Sequence, residues 1–208
     1  APPTMVHPSS AEGEGWATRV NQSSNDRGGA FDGVNVSVGR HKVTMSNEVH
    51  TSSKKIKTVE RSAVANKVYH YAARLSGITL EKSKDNFSGT LGVFSTEDTP
   101  ELSGETDGLA FYANGSWELQ SGGSLIADFL YNDAHGTPDN EVGLYEWAVA
   151  LAYVTEKNGW DILLQGTLGE NGDDGAGERG GNFWGLVAMA SRNLTDKIEA
   201  VVRYSYQG

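Results

Sequence analysis

The chain has 208 residues and a formal charge of −10, from 27 acidic and 17 basic side chains, and it lacks cysteine, which excludes a disulfide framework. Hydrophobic residues make up 38% of it, and no apolar run approaches the roughly 18 residues that a membrane-spanning helix needs. Helical membrane spans are therefore excluded, whereas a membrane β-barrel, whose strands bury only one face in lipid, is not.

Residues 1–30 are rich in Pro, Ser, Gly and Asn and show no hydrophobic period, which predicts a loop or poorly ordered segment. Residues 31–208 then form one predicted β unit, interrupted after its first strand by a long basic loop at 41–70. The nine predicted strands are 34–40, 71–81, 86–95, 108–119, 124–132, 144–155, 160–169, 182–192 and 196–207.

The connections between these strands alternate in length. Short turns are predicted at 82–85, 120–123, 156–159 and 193–195, and long connections at 41–70, 96–107, 133–143 and 170–181. Short and long connections therefore gather at opposite ends of the strands, as they do in outer-membrane barrels with short periplasmic turns and long external loops. This order predicts an all-β, antiparallel up-and-down transmembrane β-barrel.

The two faces of the strands differ in polarity. From Leu109 to Leu119 every second residue is apolar or small, the period of a strand. The apolar rows carry aromatic residues near strand ends, which predicts girdles at the lipid interfaces: Phe111, Trp117, Tyr145, Trp147, Tyr153, Trp160, Tyr204 and Tyr206. In the last strand Glu199, Arg203 and Ser205 lie opposite the apolar row and must face water.

Positive charge is concentrated in one part of this acidic chain. Residues 40–74 carry a net charge of +6, so the remainder carries −16. Such a segment is either a solvated loop or a surface that faces anions.

The same segment resembles a known family. Val34-Asn-Val-Ser-Val-Gly-Arg-His-Lys42, followed by Thr51-Ser-Ser-Lys-Lys-Ile56 and Val59-Glu-Arg-Ser62, resembles the phosphate-selective porin O and P family, in which a strand ending in Gly-Arg or Gly-Lys leads into a loop with Ser-Ser-Lys and then Glu-Arg. The resemblance implies a homotrimeric bacterial outer-membrane porin of sixteen strands, of which this chain would represent about half. It also implies a pore narrowed by an infolded loop.

The predicted function is passive diffusion of small solutes through a constriction that favours anions such as phosphate. Lys and Arg rings select anions, and a long basic loop inside a barrel concentrates positive potential where the bore is narrow. The predicted constriction residues are Arg40, Lys42, Lys54, Lys55, Lys57, Arg61 and Arg74. The predicted partners are small anions, outer-membrane lipid and further copies of the chain, without nucleic acid, metal or cofactor.

Other chemistry has weaker signals. The chain lacks HExxH, GxSxG and phosphate-loop motifs, so no enzymatic activity is predicted. His41, His50 and His70 can add pH-dependent charge near the pore. Two acidic segments are either solvated loops or calcium sites, and solvated loops are the preferred interpretation. Their acidic residues are Glu97, Asp98, Glu101, Glu105 and Asp107 in the first, and Glu170, Asp173, Asp174 and Glu178 in the second.

Two alternatives to a porin remain open from the sequence. One is a soluble or surface β-barrel or β-sandwich that binds a ligand or mediates adhesion without conducting. The other is a barrel that mainly tethers the outer membrane to other envelope layers. Burial of Phe111, Val149 and Val202 in a compact interior would exclude the porin.

Overall fold

The computed structural model describes residues 17–20, 33–68, 74–96, 108–133, 145–171 and 181–208. Within them, ten strands form one antiparallel sheet in which every strand pairs with its neighbour in the chain. The strands are β1 (Ala17–Val20), β2 (Val34–Lys42), β3 (Arg74–Lys84), β4 (Phe87–Ser95), β5 (Leu109–Glu118), β6 (Ser124–Asn132), β7 (Trp147–Lys157), β8 (Trp160–Asn171), β9 (Gly181–Thr195) and β10 (Ile198–Gln207). Two short helices, α1 (Asn47–His50) and α2 (Ala63–Val68), lie between β2 and β3.

The predicted all-β class and the antiparallel up-and-down order are confirmed. One strand was missed: β1 lies within the segment 1–30 that the sequence predicted to be irregular, where four residues are too few to establish a period. β2 and β9 also continue further than predicted, to Lys42 and Thr195, so the whole predicted turn 193–195 is strand and the turn lies at 196–197.

The short turns follow from local backbone chemistry. Asn158 and Gly159 both have positive φ angles, 55° and 73°, as a two-residue hairpin turn that matches strand twist requires. The Asp85–Asn86 turn uses the same conformation at Asp85, with φ of 53°. Asn, Asp and Gly tolerate this left-handed region, and these turns therefore fix the register of their hairpins.

One side of the sheet, here called the outer face, is apolar and exposed. Phe111 is 41% exposed and Val202 is 70% exposed, so neither lies in a closed hydrophobic interior. Aromatic residues of this face gather near both ends of the strands. Near the long connections lie Phe111, Tyr131, Trp147, Trp184 and Tyr206; near the short turns lie Phe87, Trp117, Tyr153 and Trp160.

Tyr145 differs from its predicted place in the aromatic girdle. It precedes β7, is 2% exposed, and packs against Phe183 with ring centroids 4.7 Å apart. The side of the sheet opposite the outer face is here called the inner face. Phe183 lies on it, because the next residue, Trp184, faces outward together with its ladder partner Leu168. Tyr145 lies two residues before the start of β7 at Trp147, so the strand alternation that places Trp147 outward does not apply to Tyr145.

The inner face carries a hydrophobic cluster near the long connections. Phe94 is its largest fully buried side chain, and it packs with Leu75, Leu130 and Met45. Gly77 is needed beside it, because a Cβ at this position would overlap the Phe94 ring. In the described part of the chain, no helix is long and apolar enough to cross a membrane.

Candidate functional site: a loop across the inner face

Residues 43–68, here called the cross-sheet loop, leave the end of β2 and run along the inner face of the sheet as far as β10. Met45, Val49, Val64 and Ala65 of this loop are buried, and α2 contacts β9 and β10. Val64 packs directly over Gly185, where any Cβ would overlap its methyl groups. Apolar packing is therefore one part of what holds the loop to the sheet.

The first polar anchor is Asp128 of β6, whose side chain is almost fully buried. Its carboxylate accepts a hydrogen bond from the Ser46 backbone N–H at 3.1 Å, and its Oδ1 lies 2.7 Å from Nε2 of His50. Tyr112 and Asn114 of β5 donate to the same oxygen at 3.0 Å and 2.8 Å. Ser46 has a positive φ of 79°, a strained conformation for serine that the carboxylate contact helps to maintain.

The second anchor joins Glu48 of α1 to Arg203 of β10, 155 residues away in the chain, with Nη1 and Oε1 3.2 Å apart. The same guanidinium donates to Thr58 Oγ1 at 2.8 Å and to the Glu60 carbonyl at 2.6 Å. Glu48 also accepts hydrogen bonds from the backbone N–H and the hydroxyl of Ser62. One buried carboxylate thus connects both halves of the loop to the sheet.

The third anchor is Lys57, whose ammonium group reaches three strands. It donates to Asp161 of β8 at 2.5 Å, Ser191 of β9 at 2.7 Å and Glu199 of β10 at 2.6 Å. Partial burial alone would lower the pKa of Lys57, but hydrogen bonding and attraction to the two carboxylates outweigh it, so the pKa is raised. Lys57 is therefore charged, and two carboxylates face it.

The seven predicted constriction residues fall into three groups. Lys57 and Arg61 are structural: Arg61 donates to the carbonyls of Glu48 and Thr51, at 2.9 Å and 3.1 Å, and holds the loop backbone. Lys54 and Lys55 are exposed in a turn of the loop. Arg40, Lys42 and Arg74 belong to β2 and β3, at the end of the strands from which the loop leaves.

The positions of this third group in the β2–β3 ladder place them on the outer face. Arg40 and Lys42 alternate with inward-facing His41, which packs edge-on against the buried Phe94 ring at 6.0 Å. Arg74 is directly opposite Lys42. Of these three, only Lys42 was predicted to lie in the loop, because the strand before it was predicted to end at residue 40, whereas β2 continues to Lys42.

Charge on the inner face was predicted for single strands, as at Glu199, but the gathering of carboxylates from several strands was not. Toward the short turns, five carboxylates share this face by strand alternation: Glu81, Glu118, Glu156, Asp161 and Glu199. Glu156 and Asp161 are directly opposite each other in the β7–β8 ladder. Their alternation with apolar residues is visible in the sequence, but only the pairing shows that they converge.

A cavity of about 130 Å³ lies between the loop and the sheet. Its wall is mainly apolar, with Ile56 from the loop and Leu163 and Met189 from the sheet. Lys55 and Asp161 are also at its wall. The loop is therefore not packed against the whole inner face, and space for water or a small solute remains beside its exposed lysines.

The structure describes only some of the histidines and acidic residues that the sequence singled out as candidates for titration or calcium binding. His70, the acidic residues of 97–107 and those of 173–178 lie outside the described residues, whereas Glu170 accepts a hydrogen bond from Trp147 Nε1 at 3.0 Å. Among the residues that the structure describes, no group of three or more His, Asp or Glu side chains is arranged to hold a metal ion.

Comparison with known proteins gives one match. The family model described as phosphate-selective porin O and P matches residues 26–138, more than half of the chain and the part that includes the whole cross-sheet loop. Searches of curated proteins and of solved structures return no match.

Proposed function

Because this chain belongs to the phosphate-selective porin O and P family, we propose that it forms the wall of a bacterial outer-membrane channel for passive diffusion of small solutes. The family is one of channels rather than of enzymes. The observation that carries this proposal is the loop itself: its anchors on β6, β8, β9 and β10 hold it across the inner face while the outer face stays apolar. A loop held in this way narrows the space that the sheet encloses.

The outer face supports a lipid environment. Its exposed Leu, Val, Phe and Trp side chains form bands bordered by aromatic residues at both ends of the strands. Between Phe111 and Trp117 the strand rises by roughly 20 Å, which the tilt of a barrel strand reduces to about 15 Å across the membrane, within the apolar band of outer-membrane barrels. A soluble binding module would have to cover this surface with protein.

Within this proposal, Lys54 and Lys55 are the anion-attracting residues of the constriction. Both are exposed, and neither side chain contacts a carboxylate in the described part of the chain. The positive charge of Lys57 is already balanced by Asp161 and Glu199. Lysine offers a mobile charge that attracts phosphate without holding it rigidly, and weak sites favour passage.

Selectivity tests the role of these two lysines. Single channels in planar bilayers should prefer anions over cations, and the double variant K54E/K55E should lower the permeability ratio by roughly fivefold or more, since one charge near an ion in water contributes about 1 kcal/mol. The matched control K82E/K84E makes the same charge change at the short-turn end of the outer face and should leave selectivity intact. Equal effects of both variants would contradict the proposal.

The inner carboxylates support a second candidate function, a porin that prefers cations. Glu118 and Glu156 are exposed on the inner face and belong to no ion pair with a described residue. Cation preference that is lost in the variant E118Q/E156Q would favour this alternative and reject anion selection. Outer-membrane location and a homotrimeric assembly also belong to the proposal, and membrane fractionation with chemical cross-linking tests both.

A further inference from the structure

The cavity beneath the cross-sheet loop is large enough for a molecule bigger than water. Its volume of about 130 Å³ is close to the roughly 150 Å³ of an apolar protein cavity that binds benzene. Leu163 of β8 is 3% exposed and lies at the buried end of the cavity, whereas Lys55 and Asp161 are exposed at its rim. The cavity therefore opens at the exposed side of the loop, next to the proposed constriction.

The wall of the cavity is mainly apolar. It is formed by Ile56 from the loop and by Val154, Leu163 and Met189 from the neighbouring strands β7, β8 and β9. Met189 contributes a thioether, which makes favourable contacts with aromatic rings. The size and lining of the cavity thus suit one six-membered aromatic ring.

Polar side chains on the wall are already engaged in contacts that hold the loop. The hydroxyl groups of Thr51 and Thr58 donate to backbone carbonyls of the loop, at 2.9 Å and 2.7 Å. The buried carboxylate of Glu48 is bound to Arg203. The wall is therefore poorly suited to a ligand rich in hydroxyl groups, such as a sugar.

Lys55 gives the rim of the cavity a positive charge. Among the described residues it takes part in no salt bridge, whereas Asp161, on the same rim, is bound to Lys57 at 2.5 Å. The second carboxylate on Lys57, that of Glu199, belongs to β10 and is not part of the cavity wall. An anionic group at the rim can therefore pair with Lys55 while the ring of the same molecule enters the cavity.

We propose that this cavity binds a small aromatic carboxylate of about the size of benzoate, with its ring between Ile56 and Met189 and its carboxylate at Nζ of Lys55. This inference rests on the proposed function, because it names a class of solute that the channel holds beside its constriction. Burial removes the apolar surface of the ring from water, and the ammonium group donates a charge-assisted hydrogen bond to the carboxylate. Ring and charge together favour this solute over inorganic phosphate and over a neutral aromatic alcohol.

The test measures binding directly, by fluorine NMR of 4-fluorobenzoate titrated with the full chain in detergent micelles and compared with empty micelles. Binding should saturate, and acetate should compete about tenfold or more weakly, because it lacks the ring. K55Q should weaken binding about fivefold, whereas K54Q, which removes the neighbouring charge outside the cavity wall, should weaken it by less than about twofold.

A second pair of variants tests the position of the ring. V154F places a phenyl group in the cavity and should abolish binding of 4-fluorobenzoate. V202F makes the same change on the exposed outer face and should bind like the unmodified protein. Heat-modifiable gel mobility checks that V154F folds, and K55Q tests the site independently of that result.

The outcomes separate this inference from the proposed function. Equal binding by all variants, or equal affinity for 4-fluorobenzyl alcohol or 4-fluorobenzylamine, would overturn it. Inorganic phosphate that competes as well as unlabelled benzoate would show a general anion site and would overturn it too. Because the titration does not depend on conduction, bound 4-fluorobenzoate without single-channel conductance would refute the proposed function alone, and conductance without binding would refute this inference alone.

Discussion

Replacing Asp128 by asparagine is expected to release the cross-sheet loop and widen the channel. The carboxylate accepts from Ser46, Tyr112 and Asn114 and lies next to His50, and an amide in its place cannot accept on both sides. Leaving one or two of these buried donors without a partner costs about 3 kcal/mol, which corresponds to a roughly 100-fold larger population of detached loop.

Two assays detect this release. Trypsin should cleave the D128N protein after Lys54 or Lys55 much faster than the unmodified protein, and the single-channel conductance of D128N should rise. D85N makes the same chemical change at an exposed hairpin turn, where asparagine tolerates the positive φ, and serves as the control. If D128N and D85N have the same cleavage rate and the same conductance, Asp128 does not hold the loop and the anchoring argument is refuted.

Three further predictions concern the loop, the inner packing and the outer face. Because the pKa of Lys57 is raised on folding, its contribution to loop docking is complete below its unfolded value of about 10.4 and is lost as the pH rises through the higher folded value. Release of the loop should therefore raise the single-channel conductance at alkaline pH, and K57M should abolish this rise. G77A places a methyl group in the Phe94 ring and should prevent folding into detergent, as judged by heat-modifiable gel mobility, whereas G166A meets only ordinary van der Waals contact and should fold. V202K puts a charge on the lipid-facing side and should lower the unfolding free energy in lipid vesicles by about 2–4 kcal/mol if this position is near the mid-plane; no change in urea-induced unfolding would argue against lipid contact.

The strand pattern and the faces could be predicted from sequence because each depends on neighbours in the chain. The period of two that places Phe111 outward and Tyr112 inward is local, and so is the Asn158–Gly159 turn. The roles of the basic residues could not be predicted in the same way. Lys57 is an anchor rather than a free pore cation only because Glu199, 142 residues later, lies beside it.

The end of the first long strand also affects the predicted site. The strand was predicted to end at residue 40, two residues before the end of β2 at Lys42, and alternation along β2 places both Arg40 and Lys42 on the outer face with Val38. The role of Asp128 could not be predicted, because a single acidic residue in a strand can face either water or a covering segment. Only the structure shows that the cross-sheet loop covers it. Glu48 was not among the predicted site residues, whereas the structure places it at the centre of the second anchor.

The long reach of the Glu48–Arg203 contact has a consequence for biogenesis. The two residues are separated by 155 positions, and every hairpin between them must be in place before they can meet. We therefore expect a newly inserted sheet to allow faster passage of solutes until β10 has paired with β9. Arg203 can then bind Glu48, and the docked loop narrows the channel. Time-resolved dye efflux during refolding into liposomes should show this as a transient burst that R203Q prolongs.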